Sequence, residues 1–269
     1  MARRSDRGRP GADSPAAIRR RRRVFPGIAL GTMALGVIGL LVILPSVSSA
    51  CQPVTTSSGA SASKVAAAIA PGSRVLIVGD SYTSGRGSTT GLHGWAQDIV
   101  ADRHWDAKID GYPGTGYVDT GRTGSSHYTY GPRIERHAAF DPQLVLVQGS
   151  QNDWLVDAEM LQARVERTLR TAEQTWPDAV VVAVGPSAPQ PWAQSTTGVA
   201  ASVSAGAAAA GVPYIDALGG GWFTAANSPR YQASDGAHLN DAGYQYLADR
   251  VAQSLDELAG PADGDEQCA

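Results

Sequence analysis

Cysteine is nearly absent from this chain. Only Cys51 and Cys268 occur in 269 residues, and without a C-x-x-C pair there is neither a thiolate metal cluster nor a dithiol redox motif. The histidines give no metal signature either. His93, His104, His127 and His137 show no H-E-x-x-H or similar spacing, so no metal and no other cofactor is expected. There is no internal repeat and no recognisable carbohydrate-binding module. Basic residues are also scarce once the first segment is passed. Of 22 Lys and Arg, nine are arginines within residues 1–23, which leaves 13; of 25 Asp and Glu, only Asp6 and Asp13 precede residue 51, which leaves 23 and a net charge of −10. Such a surface repels nucleic acid, which is excluded as a partner.

What the N-terminal part has instead is the layout of export. The arginine-rich residues 1–23 are followed by residues 24–45, a run of 22 that is uncharged and largely apolar and includes Leu40, Leu41, Val42, Ile43 and Leu44. A span of that length can cross a bilayer. It exceeds the ~7 to 15 residues of an ordinary signal h-region, so it is read as a retained anchor. Ser48, Ser49 and Ala50 form a small-residue cleavage site that keeps a signal peptide as the alternative. Arg22 and Arg23 before Val24 and Phe25 resemble a twin-arginine signal, but plain positive-inside charge accounts for them as well. The membrane is therefore expected as a partner through this segment, with the rest of the chain outside the cell membrane or secreted.

Cys51 and Cys268 bracket the exported part and are a candidate disulfide; closing so long a loop stabilises by roughly 5 kcal/mol at most in the chain-entropy model. Cys51 also follows the cleavage site directly, where lipid is attached in lipoproteins, although Ser48 stands where an aliphatic residue is usual. A free thiol is the remaining alternative. Residues 46–70, with Thr55, Thr56, Ser57, Ser58 and Gly59, read as a flexible linker. A folded domain is expected over 71–260, followed by a tail at 261–269.

Within that domain short β-branched runs alternate with helical stretches. Residues 74–78, 144–147, 179–184 and 212–215 read as strands buried on both faces, hence parallel. Residues 95–103, 157–175, 196–210 and about 241–258 have helical composition, the last opened by Asn240 as N-cap. This order predicts a three-layer α/β/α domain whose ligands sit at the carboxyl ends of the strands. Residues 111–131, rich in glycine and tyrosine without a clear period, read as a loop over the site, ordered or mobile.

The residues that can carry chemistry follow those strands. The first strand runs into Gly79-Asp80-Ser81-Tyr82-Thr83-Ser84-Gly85, which delivers a serine to the ligand edge. A serine hydroxyl needs a neighbouring base to take its proton, and that base needs an acid to orient it. Asp235-Gly236-Ala237-His238 offers both from one loop pinned by Asn240. Taken singly, Ser81 reads as a turn serine and His238 as a surface histidine; together after predicted strands they read as nucleophile and base.

Gly79-Asp80-Ser81 with Gly85 resembles the first block of the SGNH (GDSL-type) hydrolases, and Asp235 with His238 resembles the last. Between them, Gly114 in Gly111-Tyr112-Pro113-Gly114-Thr115-Gly116 matches the glycine block, and Asn152 in Gly149-Ser150-Gln151-Asn152-Asp153 matches the asparagine block. The resemblance covers about residues 73–258, with all four blocks in order. It implies a flavodoxin-like fold and a serine esterase in which Ser81, Asp235 and His238 are catalytic. The oxyanion hole is then formed by the Ser81 and Gly114 N–H groups and the Asn152 side chain. The sequence departs from the family at Ile109 and Asp110, where an asparagine often stands, and this leaves Gly111 and Gly116 as alternatives to Gly114. Asp80 and Asp153 are read as residues that tie down their loops.

Tyr82, Tyr117, Trp154 and Trp222 are candidates to line a substrate pocket, although loop aromatics more often pack. The expected substrate is a small-molecule or glycan ester, with a short acyl or acetyl group. Two other functions use the same fold: acyl transfer to a cell-envelope glycan, and non-catalytic surface binding, which predicts damage to the triad that the sequence does not carry. The nucleophile elbow G-x-S-x-G of α/β-hydrolases is missing.

Overall fold

The computed structural model describes residues 61–260. Five parallel strands, β1 (Arg74–Gly79), β2 (Asp106–Gly111), β3 (Leu144–Gln148), β4 (Val180–Val184) and β5 (Tyr214–Ile215), form one sheet in the order β2-β1-β3-β4-β5. That is the doubly wound order of flavodoxin-like folds. The register aligns Val75 with Leu144 and Leu144 with Val180 across the three central strands.

The uninterrupted apolar runs exist because the sheet is covered on both faces. Val75, Ile77, Leu144, Leu146, Val180 and Val182 point to one face, against α1 (Ala62–Ala68), α2 (Trp95–Arg103) and α7 (Asp241–Ala259). Their neighbours Leu76, Val78, Val145, Val147 and Val181 point to the other, against α3 (Tyr130–Arg136), α4 (Ala158–Thr175) and α5 (Thr197–Ala210). Each such side chain, fully buried, contributes about 1.5–3 kcal/mol relative to exposure.

The helices follow from spacing and caps. In α4, Leu161, Val165, Thr168, Leu169 and Ala172 are buried, the i, i+4, i+7, i+8, i+11 stripe of a helix lying on a core. The Asp157 carboxylate caps it, accepting from the N–H groups of Glu159 at 3.1 Å and Met160 at 3.0 Å. The small residues of α5 serve close approach: a Cβ on Gly206 would lie 2.6 Å from Val165 Cβ. A short α6 (Ser228–Tyr231) precedes the last loop. Among the described residues no helix is long and apolar enough to cross a membrane. Residues 24–45, Cys51 and Cys268 lie outside those residues.

Two readings need correction, and one left open is decided. Residues 62–68, assigned above to the linker, form α1, with Val65 and Ala68 buried and the helix packed on α7. Residues 106–111 form a strand not anticipated from the sequence. It lies at the sheet edge, is only partly covered, and so carries Asp106, Lys108 and Asp110 rather than an apolar run. The stretch 111–131 is largely ordered by named bonds, with a bridge between Thr115 and Thr120 and α3 starting at Tyr130.

Asn240 closes the last loop in both directions. Its Oδ1 accepts from Gly243 N–H at 2.9 Å, and its Nδ2 donates to the carbonyls of Arg230 at 2.9 Å and Gln232 at 3.1 Å. Asn240→Ala is expected to lower stability by about 1–2 kcal/mol, the upper range of a lost N-cap, read as a shift of the urea midpoint without a change in slope.

Candidate active site

Beyond Gly79 the chain turns at once. The Asp80 carboxylate accepts from Tyr82 N–H at 2.9 Å, an Asx-turn that sets Ser81 above the carboxyl edge of the sheet, 6% exposed. From the other end of the domain, residues 235–238 wrap around a second carboxylate. Asp235 Oδ1 accepts from the N–H groups of Ala237 at 3.0 Å and His238 at 2.9 Å, and Oδ2 lies 2.7 Å from His238 Nδ1. The other ring nitrogen, Nε2, lies 2.9 Å from Ser81 Oγ. Ser81, His238 and Asp235 thus form one hydrogen-bonded line.

Electrostatics suit this line. Burial pushes the Asp235 carboxyl up, but the His238 and Ala237 N–H groups and the imidazole outweigh it and hold the pKa at about 2. A carboxylate ionised at every working pH fixes the imidazole with a proton on Nδ1 and a lone pair on Nε2, facing the serine. Four further bonds join the two segments: the Tyr82 hydroxyl donates to the Ala237 carbonyl, the Tyr244 hydroxyl on α7 to the Arg86 carbonyl, and Thr89 donates to the Asp241 carboxylate through its N–H at 2.8 Å and its hydroxyl.

Gly114 follows β2 in a turn, at φ +80°, a conformation glycine adopts without strain. Among the described residues, neither its N–H nor that of Ser81 has a partner, whereas Gly116 N–H donates to the Asp119 carbonyl at 2.9 Å and Gly111 ends β2. Asn152 follows β3 in a short 3-10 turn, residues Gln151–Leu155. Its Nδ2 donates to the Thr115 carbonyl at 2.9 Å, which ties it to the Gly114 loop and leaves a second amide hydrogen.

Two buried groups hold that loop. The Asp153 carboxylate accepts from the N–H groups of Tyr117 at 2.8 Å, Val118 at 3.2 Å and Asp119 at 2.7 Å, the loop-tying role expected of it. Arg133, fully buried, donates to the Gly79 carbonyl and to Thr115 Oγ1, each at 3.0 Å. It also pairs with Asp110 at 2.8 Å. Burial works against ionisation of Asp110, but Arg133 and His137 outweigh it and keep its carboxyl below the usual range. Sequence reading missed Arg133. The one available signal was Asp110, an acid where the family often has asparagine.

The four aromatic candidates separate. Trp154 is 50% exposed, two residues beyond Asn152. Tyr82 is buried with its ring 5.5 Å from the His238 imidazole, so it buttresses the base. Tyr117 is withdrawn as a pocket residue, being buried against Tyr130; Trp222, with the Arg250 guanidinium over its ring, lines a cavity of about 370 Å³ that Ser81, Asp235 and His238 do not line. No group of three or more His, Cys, Asp and Glu among the described residues is arranged to hold a metal ion.

Asp80 carries an unusual load beside Ser81. It is fully buried, and among the described residues its Oδ2 lacks a partner. Burial drives its pKa up to about 7 against the Tyr82 and Gln151 N–H groups and the Arg133 charge. Folded Asp80 therefore keeps its proton while the unfolded residue loses it near pH 4, so the native state binds more protons over pH 4–7 and stability falls as pH rises through that window. Asp80→Asn is expected to remove this fall, seen as a flatter dependence of unfolding free energy on pH in urea melts; an unchanged slope would refute it.

Residues 77–246 match the GDSL-like Lipase/Acylhydrolase family, a span that includes every residue of the hydrogen-bonded line. A GDSL lipase of Mycobacterium tuberculosis is 30% identical over 199 residues, 69% of this chain and 83% of that relative. Among solved structures, the fold is similar to the lipase/acylhydrolase from Enterococcus faecalis, with TM-score 0.53 and 15% identity over 69% of this chain and 96% of that one. It is also similar to a family two carbohydrate esterase from Clostridium thermocellum in complex with cellohexaose, with TM-score 0.56 and 14% identity over 70% of this chain and 65% of that one. At these identities the two structures speak for the fold alone. The family match and the curated relative together place the chain in the GDSL-like lipase/acylhydrolase family, the SGNH hydrolases, and make it an ester-hydrolysing enzyme.

Proposed function

We propose that the chain is an extracytoplasmic serine esterase for short-chain acyl or acetyl esters, working through Ser81, His238 and Asp235. The observation that carries this reading is the continuous line from Asp235 Oδ2 through the imidazole to Ser81 Oγ, at 2.7 and 2.9 Å. His238 Nε2 takes the hydroxyl proton as Ser81 Oγ bonds to the ester carbonyl carbon. The negative charge on the carbonyl oxygen is met by the N–H groups of Ser81 and Gly114 and the second amide hydrogen of Asn152. Collapse breaks the ester C–O bond, and His238 returns the proton to the leaving alkoxide. Water then attacks the acyl-serine with the same base, releasing the carboxylic acid and restoring Ser81. Asp235 stays ionised and stabilises the imidazolium that forms in each half.

The location rests on the arginine-rich residues 1–23 and the apolar run 24–45, read with the positive-inside rule. The chain then acts on esters at or beyond the cell membrane.

Hydrolysis of p-nitrophenyl acetate, butyrate and octanoate tests the reading. Ser81→Ala and His238→Ala are each expected to lower kcat by about 1000-fold or more with folding intact by circular dichroism. Asn152→Ala is expected to lower kcat by about 100-fold. Rates should fall with acyl length. Retained activity in Ser81→Ala would refute the nucleophile, and a preference for octanoate would refute the short acyl group.

A further inference from the structure

A cavity of about 610 Å³ opens beyond the carboxyl ends of β4 and β5, and the mechanism above does not use it. Ser81, Asp235 and His238 do not line it, yet two connections join it to them. On one wall Gln232 is bridged antiparallel to Leu239, the residue after His238, and Ala233 N–H donates to the His238 carbonyl at 2.8 Å. On the other, Pro191 and Gln194 flank Trp192, whose ring meets that of Trp154 edge-on at 6.1 Å. Trp154 follows Asn152 by two residues and is half-exposed.

The lining has a particular chemistry. Gln190, Gln194 and Gln232 supply primary amides, Pro191, Leu218 and Phe223 supply apolar surface, and no lining side chain is charged. Gln190 Oε1 is buried without a partner among the described residues, a cost that rotation of this amide toward a ligand hydroxyl removes. A primary amide both donates and accepts, as does each hydroxyl of a polyol, while an apolar or aromatic face suits the C–H side of a sugar ring. An anion finds no cation here, and an acyl chain leaves the amides without partners. The volume lies within the range of small-ligand sites.

We infer that this cavity is a subsite for a neutral sugar, so that the enzyme hydrolyses acyl esters carried on an uncharged glycan, with Trp154 stacking on the sugar nearest the ester. The inference rests on the esterase reading above and adds the alcohol side of its substrate.

The test uses the full chain in detergent. Trp154→Ala and Gln190→Leu are each expected to lower the ratio of kcat/KM on O-acetylated cello- or xylo-oligosaccharides to that on p-nitrophenyl acetate by about tenfold, the scale of one lost hydrogen bond or stacking contact. The Ser81→Ala chain is expected to bind cellobiose or xylobiose by NMR titration, and Gln190→Leu in that background to weaken the binding. An unchanged ratio in both variants overturns the subsite. So does a gain in p-nitrophenyl octanoate turnover on Gln190→Leu without sugar binding, which assigns the cavity to an acyl chain. Loss of p-nitrophenyl acetate hydrolysis in Ser81→Ala judges the esterase reading alone, and sugar binding by the Ser81→Ala chain judges the subsite alone.

Discussion

The function proposed above depends on one contact, between Ser81 Oγ and His238 Nε2, which lie 157 residues apart in the chain and 2.9 Å apart in space. A serine hydroxyl has little nucleophilicity until a base can take its proton, and a displacement of 1 Å from a remote change can cost about 100-fold in rate. The parallel sheet sets the coarse geometry, since β1 releases Ser81 at the same edge toward which the loop before α7 projects His238. The fine geometry comes from bonds between the two loops, through Tyr82, Tyr244 and Thr89. The serine and the histidine are therefore held by neighbours of each other's loop and not only by their own strands.

A second assembly faces them. The Gly114 loop buries Tyr117 in the core and is fixed beyond it by charges: Asp153 gathers three consecutive N–H groups, and buried Arg133 links it to the end of β1 through Thr115 and Gly79. Buried ions are costly unless fully bonded, and these are. Their arrangement couples the serine turn to the loop opposite, so that Ser81 N–H and Gly114 N–H, both without partners among the described residues, are set by one network.

How much of this was legible follows from locality. The central strands show as apolar runs because both of their faces are covered, and α2, α4, α5 and α7 show through composition, spacing and caps such as Asn240. Ser81, Asp235 and His238 are legible because short segments at strand and helix ends carry them. What was not legible depends on distant partners. β2 is polar because it is an edge strand, α1 is a short run of small residues made helical by packing on α7, and Arg133 has meaning only beside Asp110 and Thr115. Tyr117 was misread because an aromatic residue in a loop carries no mark of the side on which it will be buried. The order of the strands, and with it the meeting of the loops, is a property of the whole sheet.

The turn at residues 235–238 contains nearly all that makes its acid and base a pair. The bonds around the Asp235 carboxylate span at most three positions, while the bond to Ser81 crosses the domain. His238 is thus oriented locally by Asp235, and Ser81 is docked onto it. Partial loosening of the contact between the serine turn and the front of α7 separates the two while leaving each half intact. On the esterase reading proposed above, catalytic competence is accordingly a report on one interface between the serine turn and the loop before α7.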